Sequence, residues 1–322
     1  MRAEHPLTIP CGPRFETAPL NEFKKEFTAA CMSGETAMTC YGQPGVGKST
    51  ALLDIGEKLL DSKKAVVYAT EIISVAGDFA PLARALQTSD GTGLQLTCFS
   101  TDQAFIRKAQ ADCDLLGTPR VWILIDQARH LSGAQLIGLD GTLSALIRVR
   151  LAPFVALFAG SDILAVPAKF KKRGDSTVIS PFMSRTHRFR GLRRDEYQVV
   201  LQKIDSTRWP VSGPPYTAHF APQFWGRGGR LADHAQTFVR EFTVLAAKSG
   251  QDPDDLPIKY LISAATKVLV AVDSPERSNA VEKLIQEAVE HTTYINDFRL
   301  LGHLELESMR SGNYRSLLGK QG

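Results

Sequence analysis

Short apolar runs alternate with amphipathic stretches along the first half of the chain. An apolar run of about four to eight residues between polar turns indicates a buried strand, whereas apolar residues at helical spacing indicate an amphipathic helix. The sequence predicts strands at 37–41, 64–70, 121–126 and 154–159, and helices at 20–31, 49–60, 80–87, 102–111 and 134–148. Strands that alternate with helices are typical of an α/β fold, in which helices flank a central parallel sheet.

After residue 194 the apolar pattern is helical throughout. Helices are predicted at 195–204, 218–224, 257–272 and 275–289, and the sequence Gly226-Arg227-Gly228-Gly229-Arg230 opens a further long helix. Prolines are frequent before residue 20, which indicates an irregular lead-in. We predict four segments, which are an N-terminal arm (1–19), an α/β domain (20–192), an α-helical lid (193–250) and a C-terminal helical extension with a tail (251–322).

The composition of the 322 residues, 43% hydrophobic and 22% charged, is that of a globular chain long enough for two domains. No apolar run approaches the ~18 residues of a membrane helix, and the N-terminus lacks the hydrophobic core of a signal peptide. Five scattered cysteines include no C-x-x-C pair, which favours reduced thiols. We therefore expect a cytoplasmic protein without a membrane partner.

The net charge of +4 is unevenly distributed along the chain. Residues 147–195 contain eleven basic and three acidic residues, a net charge of +8, so the rest of the chain carries −4. A concentrated basic segment suggests a polyanionic partner, either nucleic acid or a triphosphate. Inside it, the run Lys169-Phe170-Lys171-Lys172-Arg173 can lie along a nucleic-acid backbone, although a solvated charge run is the commoner explanation. Arg84, Arg107 and Lys108 are further candidates for DNA contact.

A glycine-rich motif follows the first predicted strand and precedes a predicted helix. Its sequence, Gly42-Gln43-Pro44-Gly45-Val46-Gly47-Lys48-Ser49, has the pattern G-x-x-x-x-G-K-S. In this context the pattern indicates a phosphate-binding loop, whose backbone N–H groups and helix N-terminus face phosphate oxygens. Lys48 would reach the β- and γ-phosphates, Ser49 would hold Mg²⁺, and Thr50 is included among the predicted nucleotide contacts. We therefore predict ATP and Mg²⁺ as cofactors.

The strand predicted at 121–126 ends in Asp126, a carboxylate at the carboxyl edge of a parallel sheet. Asp126 is therefore predicted to hold Mg²⁺ opposite Ser49. Gln127 follows, and a glutamine can orient the attacking water but cannot take its proton. We expect slow or partner-dependent hydrolysis, unless another carboxylate such as Asp140, or Gln127 itself, suffices.

Further polar residues are candidates for contact with the γ-phosphate. Ser161 follows the strand predicted at 154–159 and could sense this phosphate, or it is an ordinary serine at a strand end. Arg185 or Arg188 could reach the γ-phosphate of a neighbouring subunit as an arginine finger, or both belong to a basic surface strand. Arg230, with Arg227 as the alternative, begins the predicted lid helix and could fold onto the nucleotide.

The order of these motifs resembles that of the AAA+ ATPases over about residues 20–248. Within that superfamily the chain looks most like the initiator-related branch and the transposition regulators of the TnsC/TniB and MuB type. This narrower resemblance rests on the compact size, the run FAGSDIL…SRTHRF after the fourth predicted strand, and the short helical C-terminal end. The match assigns the phosphate loop to 42–49, the Mg²⁺-holding aspartate to Asp126, the first sensor to Ser161, the finger to Arg185 or Arg188, and the second sensor to Arg230. Gln127 departs from the usual Asp-Glu pair.

The resemblance implies an ATP-dependent, DNA-binding regulator of DNA transposition. ATP bound at subunit junctions would drive assembly of a homo-oligomeric ring or filament on duplex DNA, which would mark a target site and recruit a transposase, with a target-selection protein as a further partner. Hydrolysis would take the assembly apart, and contacts to DNA phosphates would be salt-sensitive. Two alternatives stay open. One is a replication initiator or helicase loader, and the other is a nucleotide-gated scaffold or signalling switch that binds no DNA.

Overall fold

The structure, a computed structural model, describes residues 7, 14–71, 103–131, 133–165, 176–273 and 280–297. These residues form two compact units, the first being Ala18–Arg190 and the second lying within Met1–Thr17 and Gly191–Gly322. The segments predicted at 193–250 and 251–322 thus contribute to the same unit. The helix predicted at 80–87 and the basic loop at 169–173 lie outside the described residues.

The first unit is built on a parallel sheet, which has five strands in the described part of the chain. The strands are β1 (Ala37–Tyr41), β2 (Val66–Glu71), β3 (Arg120–Asp126), β4 (Ala152–Ala159) and β5 (Thr186–Arg188). Their order across the sheet is β2-β3-β4-β1-β5, and each neighbouring pair is parallel. One strand, β4, therefore separates β1 from β3, the two strands that lead into the predicted nucleotide-binding residues.

Helices cover both faces of this sheet, as apolar side chains on alternate faces of each strand require. They are α1 (Ala18–Met32), α2 (Lys48–Ser62), α3 (Gln103–Leu116), α4 (Gly133–Arg148) and α5 (Ser176–Met183). Side chains of α1 and α2 share a core with Leu124 and Phe158, whereas those of α3, α4 and α5 share a core with Ile125 and Leu157. Because successive strand residues face opposite sides, Asp126 lies on the α1 and α2 face.

Aromatic pairs hold α1 against the sheet. Phe23 packs edge-on against Phe158 with ring centroids 5.5 Å apart, and Phe27 does the same against Trp122 at 5.5 Å. Phe23 also lies 5.8 Å from Phe189, which follows β5. The short strand β5, predicted only as a possible basic surface strand, is thus anchored through an aromatic side chain beyond its end.

The second unit is helical in its described part. Its helices are α6 (Tyr197–Ser206), α7 (Tyr216–Phe220), α8 (Pro222–Gly226), α9 (Ala235–Ser249), α10 (Ile258–Val272) and α11 (Val281–Glu290). The helix predicted at 218–224 is two short helices, because Pro222 starts a new helix and lacks the N–H needed to continue the first. The sequence after Arg230 first forms a 3₁₀ turn, Leu231–His234, before α9 begins.

An apolar core joins these helices to the N-terminal segment. Tyr197, Tyr216 and Phe238 are among its fully buried side chains, and Leu7 and Phe15 pack into the same core. The backbone N–H of Leu7 donates a hydrogen bond of 3.0 Å to the Tyr216 hydroxyl. Within the described ranges, no helix is both long enough and apolar enough to span a membrane.

Candidate nucleotide site

The glycine-rich motif forms the turn between β1 and α2. Gly45 (φ +81°) and Gly47 (φ +111°) adopt positive φ values that disfavour residues with a β-carbon. The buried side chain of Val46 joins the α1 and α2 core and anchors the loop, whereas Pro44 between the turns is exposed. The Gly42 N–H donates to the Ala159 carbonyl at 3.3 Å, which fixes the start of the loop beside the end of β4.

Gly42 is required for a different reason, namely lack of space. A β-carbon at this position would clash with the backbone oxygen of Phe189. Gly42→Ala should therefore lower the free energy of unfolding by about 1–3 kcal/mol, since backbone must move to relieve the clash. Chemical denaturation of the full chain measures this. Gly226→Ala is the matched control because its β-carbon would meet no atom within 4 Å. Equal unfolding free energies for the two variants would contradict the prediction.

Lys48 lies directly over the loop that precedes it. Its ammonium donates hydrogen bonds of 2.8 Å to the carbonyl oxygens of Gly42 and of Gln43. Burial lowers the pKa of Lys48, and the nearby charge of Arg129 lowers it further, whereas Cys40 and Asp126 act in the opposite direction. The Oε1 atom of Gln43 is buried and has no hydrogen-bond partner among the described residues. This edge of the sheet thus contains the half-buried ammonium of Lys48 and the Oε1 atom of Gln43, which has no hydrogen-bond partner among the described residues.

Asp126 ends β3 at the carboxyl edge of the sheet. Its Oδ1 accepts a hydrogen bond of 2.8 Å from the N–H of Gln127, whose φ of +53° turns the chain sharply after the strand. Ser49 and Thr50 are exposed in the first turn of α2, on the same face of the sheet as Asp126. A hydroxyl and a carboxylate on one face suit an oxygen-liganded Mg²⁺ ion.

Asp140 is poorly situated to replace a base at position 127. It lies within α4, which packs on the face of the sheet opposite to that of Asp126. Burial raises the pKa of Asp140, so its environment disfavours the charged form. Gln127, which directly follows Asp126, is therefore the better-placed candidate to orient the attacking water.

Ser161 lies at the neighbouring strand end. Ala159, the last residue of β4, pairs with Tyr41, the residue before the loop, and Ser161 begins a 3₁₀ turn two residues later. Its side chain is exposed. Asp162 and Arg129 also border this edge and were not predicted as site residues. Their positions within a few residues of a strand end are the sequence feature that could have indicated them.

The two candidate finger arginines lie at opposite ends of β5. Arg185 precedes the strand and donates to Glu35 at 2.8 Å and to Glu26 at 3.2 Å, and these ion pairs raise its pKa. Arg188 ends the strand, is exposed, and pairs in register with Tyr41. Arg188 is thus the candidate at the loop edge of the sheet, whereas Arg185 is held by carboxylates of its own chain.

Arg230 belongs to the second unit and is held there by its own neighbours. Its guanidinium carbon lies 3.2 Å from the centroid of the Trp225 ring, and its Nη1 donates to the Gly229 carbonyl at 2.8 Å. The residue after it starts the 3₁₀ turn whose N–H groups are capped by the buried carboxylate of Asp205. Asp205 was not anticipated from the sequence, because its partners are 12 to 27 residues away in the chain.

Similarity to known proteins is limited to solved structures. No protein-family model matches the chain, and no curated protein matches it. The chain is similar to C. elegans PCH-2 at 13% identity, with 86% of this chain and 70% of that chain covered and a TM-score of 0.32. It is also similar to Drosophila ORC bound to DNA at 14% identity (85% and 70% covered, TM-score 0.44), and to the Aeropyrum pernix ORC1 protein in complex with DNA at 14% identity (82% and 69% covered, TM-score 0.38).

The class of fold is defined by the chain itself. A glycine-rich loop follows β1, an aspartate ends β3, β4 lies between these strands, and a helical unit follows the sheet. The fold is an α/β domain, in which helices flank a central parallel sheet, with additional helices. The predicted fold class is confirmed.

Proposed function

We propose that this chain is an ATP-dependent, DNA-binding regulator of DNA transposition that uses Mg²⁺ as a second cofactor. The observation that carries the nucleotide part is the loop itself, in which Gly45 and Gly47 adopt positive φ and Lys48 lies over the loop carbonyls. Such a loop holds phosphates with backbone N–H groups and a lysine. Ser49 and Asp126 would hold Mg²⁺ from one face of the sheet.

Bound Mg-ATP supplies a phosphoanhydride bond whose hydrolysis can be coupled to assembly and disassembly. Lys48 stabilises negative charge on the terminal phosphates, and Ser161 reports on the γ-phosphate from the end of β4. Gln127 orients the attacking water without accepting its proton, so hydrolysis is slow or depends on a partner. Arg188 or Arg185 of a neighbouring subunit, and Arg230, complete the charge around the phosphates.

The transposition and assembly parts of the proposal come from the narrower sequence resemblance to transposition regulators, which includes the run FAGSDIL…SRTHRF. ATP drives homo-oligomerisation into a ring or filament on duplex DNA, and the assembly recruits a transposase and a target-selection protein. The loop Lys169, Lys171, Lys172 and Arg173 is the proposed contact to DNA phosphates.

One observation favours the alternative of a nucleotide-gated switch that binds no DNA. Three arginines of the basic segment form ion pairs within the chain, which are Arg185 with Glu35, Arg190 with Glu22, and Arg194 with Asp254. Each such pair offsets positive charge that would otherwise be available to a phosphate backbone. The DNA-binding part therefore needs its own test.

Particle size and DNA binding, measured in four nucleotide states, test the proposed function. Light scattering and a duplex pull-down would be run without nucleotide, with ADP, with ATP and with a non-hydrolysable ATP analogue. We expect large DNA-bound assemblies only with the two triphosphates. Lys48→Ala should remove this dependence, because it removes the cation that contacts the phosphates. A protein that stays monomeric and ignores DNA in every state would overturn the proposal.

Charge reversal separates the DNA-binding regulator from the switch. Replacing Lys171, Lys172 and Arg173 with Glu should weaken DNA binding and reduce its salt dependence while nucleotide binding persists. Triphosphate-dependent assembly without any DNA binding by the unmodified chain would support the switch instead. Unaltered DNA binding by the charge-reversed variant would exclude this loop as the contact.

A further inference from the structure

Arg129 occupies a well-defined turn three residues after Asp126. The turn, Ala128–His130, is held by two backbone hydrogen bonds, from His130 N–H to the Gln127 carbonyl at 3.0 Å and from Leu131 N–H to the Ala128 carbonyl at 3.1 Å. Ala128 is 2% exposed and packs into the core that α3 and α4 share with the sheet. The backbone of Arg129 is therefore fixed relative to the end of β3.

The side chain of Arg129 extends across the edge of the sheet to the end of β4. Its Cδ lies 4.0 Å from the point where a β-carbon on Gly160 would be. Gly160 follows Ala159, which pairs with Tyr41 immediately before the phosphate loop. The side chain of Arg129 thus extends from the end of β3 toward the end of β4, the strand that lies beside β1.

Arg129 and Lys48 both lie at the carboxyl edge of the sheet. Lys48 donates to the Gly42 carbonyl, and the Gly42 N–H donates to the carbonyl of Ala159, the residue before Gly160. The carboxylate of Asp162 also lies beside Gly160. A triphosphate has its highest charge density at the terminal phosphate.

The side chain of Arg129 is exposed. Its Nε donates a hydrogen bond of 3.1 Å to Nε2 of His130. Burial, and after it the charge of Arg129, lowers the pKa of His130, which favours the neutral ring that can accept this bond. Among the described residues, the ion pairs do not include Arg129. Its two Nη groups can therefore contact a phosphate.

We propose that Arg129 is a catalytic residue of the nucleotide site, whose guanidinium contacts the terminal phosphate of ATP from within the same subunit. This inference rests on the proposed function, because it requires a triphosphate on the loop. Arg129 and Lys48 then hold the γ-phosphate from two sides. Arg129 then supplies, from the same subunit, part of the charge that an arginine finger supplies from a neighbouring subunit. Because this charge contacts the terminal phosphate, it distinguishes ATP from ADP.

Calorimetric titration with Mg²⁺ and either a non-hydrolysable ATP analogue or ADP tests this contact directly. Arg129→Ala should weaken binding of the ATP analogue by about ten- to hundredfold, the range expected for a charge-assisted hydrogen bond. Its affinity for ADP should change by less than about twofold, since the contact is to the terminal phosphate. Arg129→Lys should keep part of the affinity, because it keeps the charge but loses the planar fork.

Arg148→Ala is the matched control. Arg148 is an exposed arginine in the last turn of α4, a helix that leads into the opposite, amino-terminal edge of the sheet. Its removal should leave both affinities unchanged. Binding of neither nucleotide by the unmodified chain would overturn the proposed function itself. If the unmodified chain binds both, equal losses for ATP analogue and ADP in Arg129→Ala, or no loss, would overturn only the role of Arg129.

Discussion

Gln127→Glu should raise the rate of ATP hydrolysis by about two orders of magnitude, the lower end of what general acid–base catalysis contributes. Gln127 directly follows Asp126, and its positive φ turns the chain at the edge where Ser49 and Asp126 share a face. Glutamate has the same length as glutamine, but its carboxylate can accept a proton from water. The gain would appear as a higher kcat with little change in KM, because substrate contacts are unaltered.

Two variants make this measurement specific. Asp140→Asn should leave the rate unchanged, since Asp140 lies on a helix that covers the other face of the sheet. Lys48→Ala combined with Gln127→Glu should abolish the gain, which shows that the activity belongs to this site. Steady-state phosphate release measures all three. An unchanged rate in Gln127→Glu would mean that proton transfer to residue 127 does not limit hydrolysis.

Asp205→Ala should destabilise the second unit by about 2–4 kcal/mol, because each buried donor that loses its acceptor costs about 1–3 kcal/mol. Asp205 is 5% exposed, and its carboxylate accepts hydrogen bonds from Thr217 Oγ1 at 2.6 Å, Leu231 N–H at 3.2 Å and Ala232 N–H at 3.0 Å. Burial raises the pKa of Asp205 even though these hydrogen bonds lower it. Part of the stabilisation from the hydrogen bonds therefore offsets the cost of burying the carboxylate. The expected loss therefore lies below the sum of three full penalties.

Denaturation followed by tryptophan fluorescence reports on this change, since Trp209 and Trp225 belong to the second unit. Asp205→Asn should be milder, because its amide keeps an acceptor for the backbone and gains a donor for Thr217. Asp233→Ala is the matched control, as this aspartate lies in the same turn but is exposed. Losses of similar size in Asp205→Ala and Asp233→Ala would refute the role of the buried carboxylate.

The loop and its flanks could be predicted from the sequence because their signals are local. Glycines at fixed spacing, an apolar strand before them and an amphipathic helix after them are all properties of adjacent residues. The strand at 37–41 agrees with β1 for the same reason. That β4 lies between β1 and β3 depends on pairing between distant segments, which periodicity does not encode.

Tertiary contacts account for what the sequence did not predict. Arg185 is a candidate finger by motif order, yet its partner Glu35 is 150 residues away and visible only in the fold. Helix α5 was not predicted from the sequence. It contains Pro181, and proline usually disfavours the interior of a helix. The roles of Arg129 and Asp205 depend on neighbours that are distant in sequence, at another strand end for Arg129 and in another turn for Asp205.

The close approach of Phe189 to Gly42 provides an intrinsic spectroscopic probe. The Phe189 N–H donates a 2.7 Å hydrogen bond to the carbonyl of Tyr41, and its own carbonyl oxygen occupies the space that a side chain on Gly42 would need. Because the amide chemical shift depends in part on hydrogen-bond length, selective ¹⁵N labelling of phenylalanine makes this peptide group a probe of loop displacement. It lies two residues before Gly191, where the longer segment of the second unit begins. Nucleotide-induced strain could thus be followed at the covalent junction without attaching any dye.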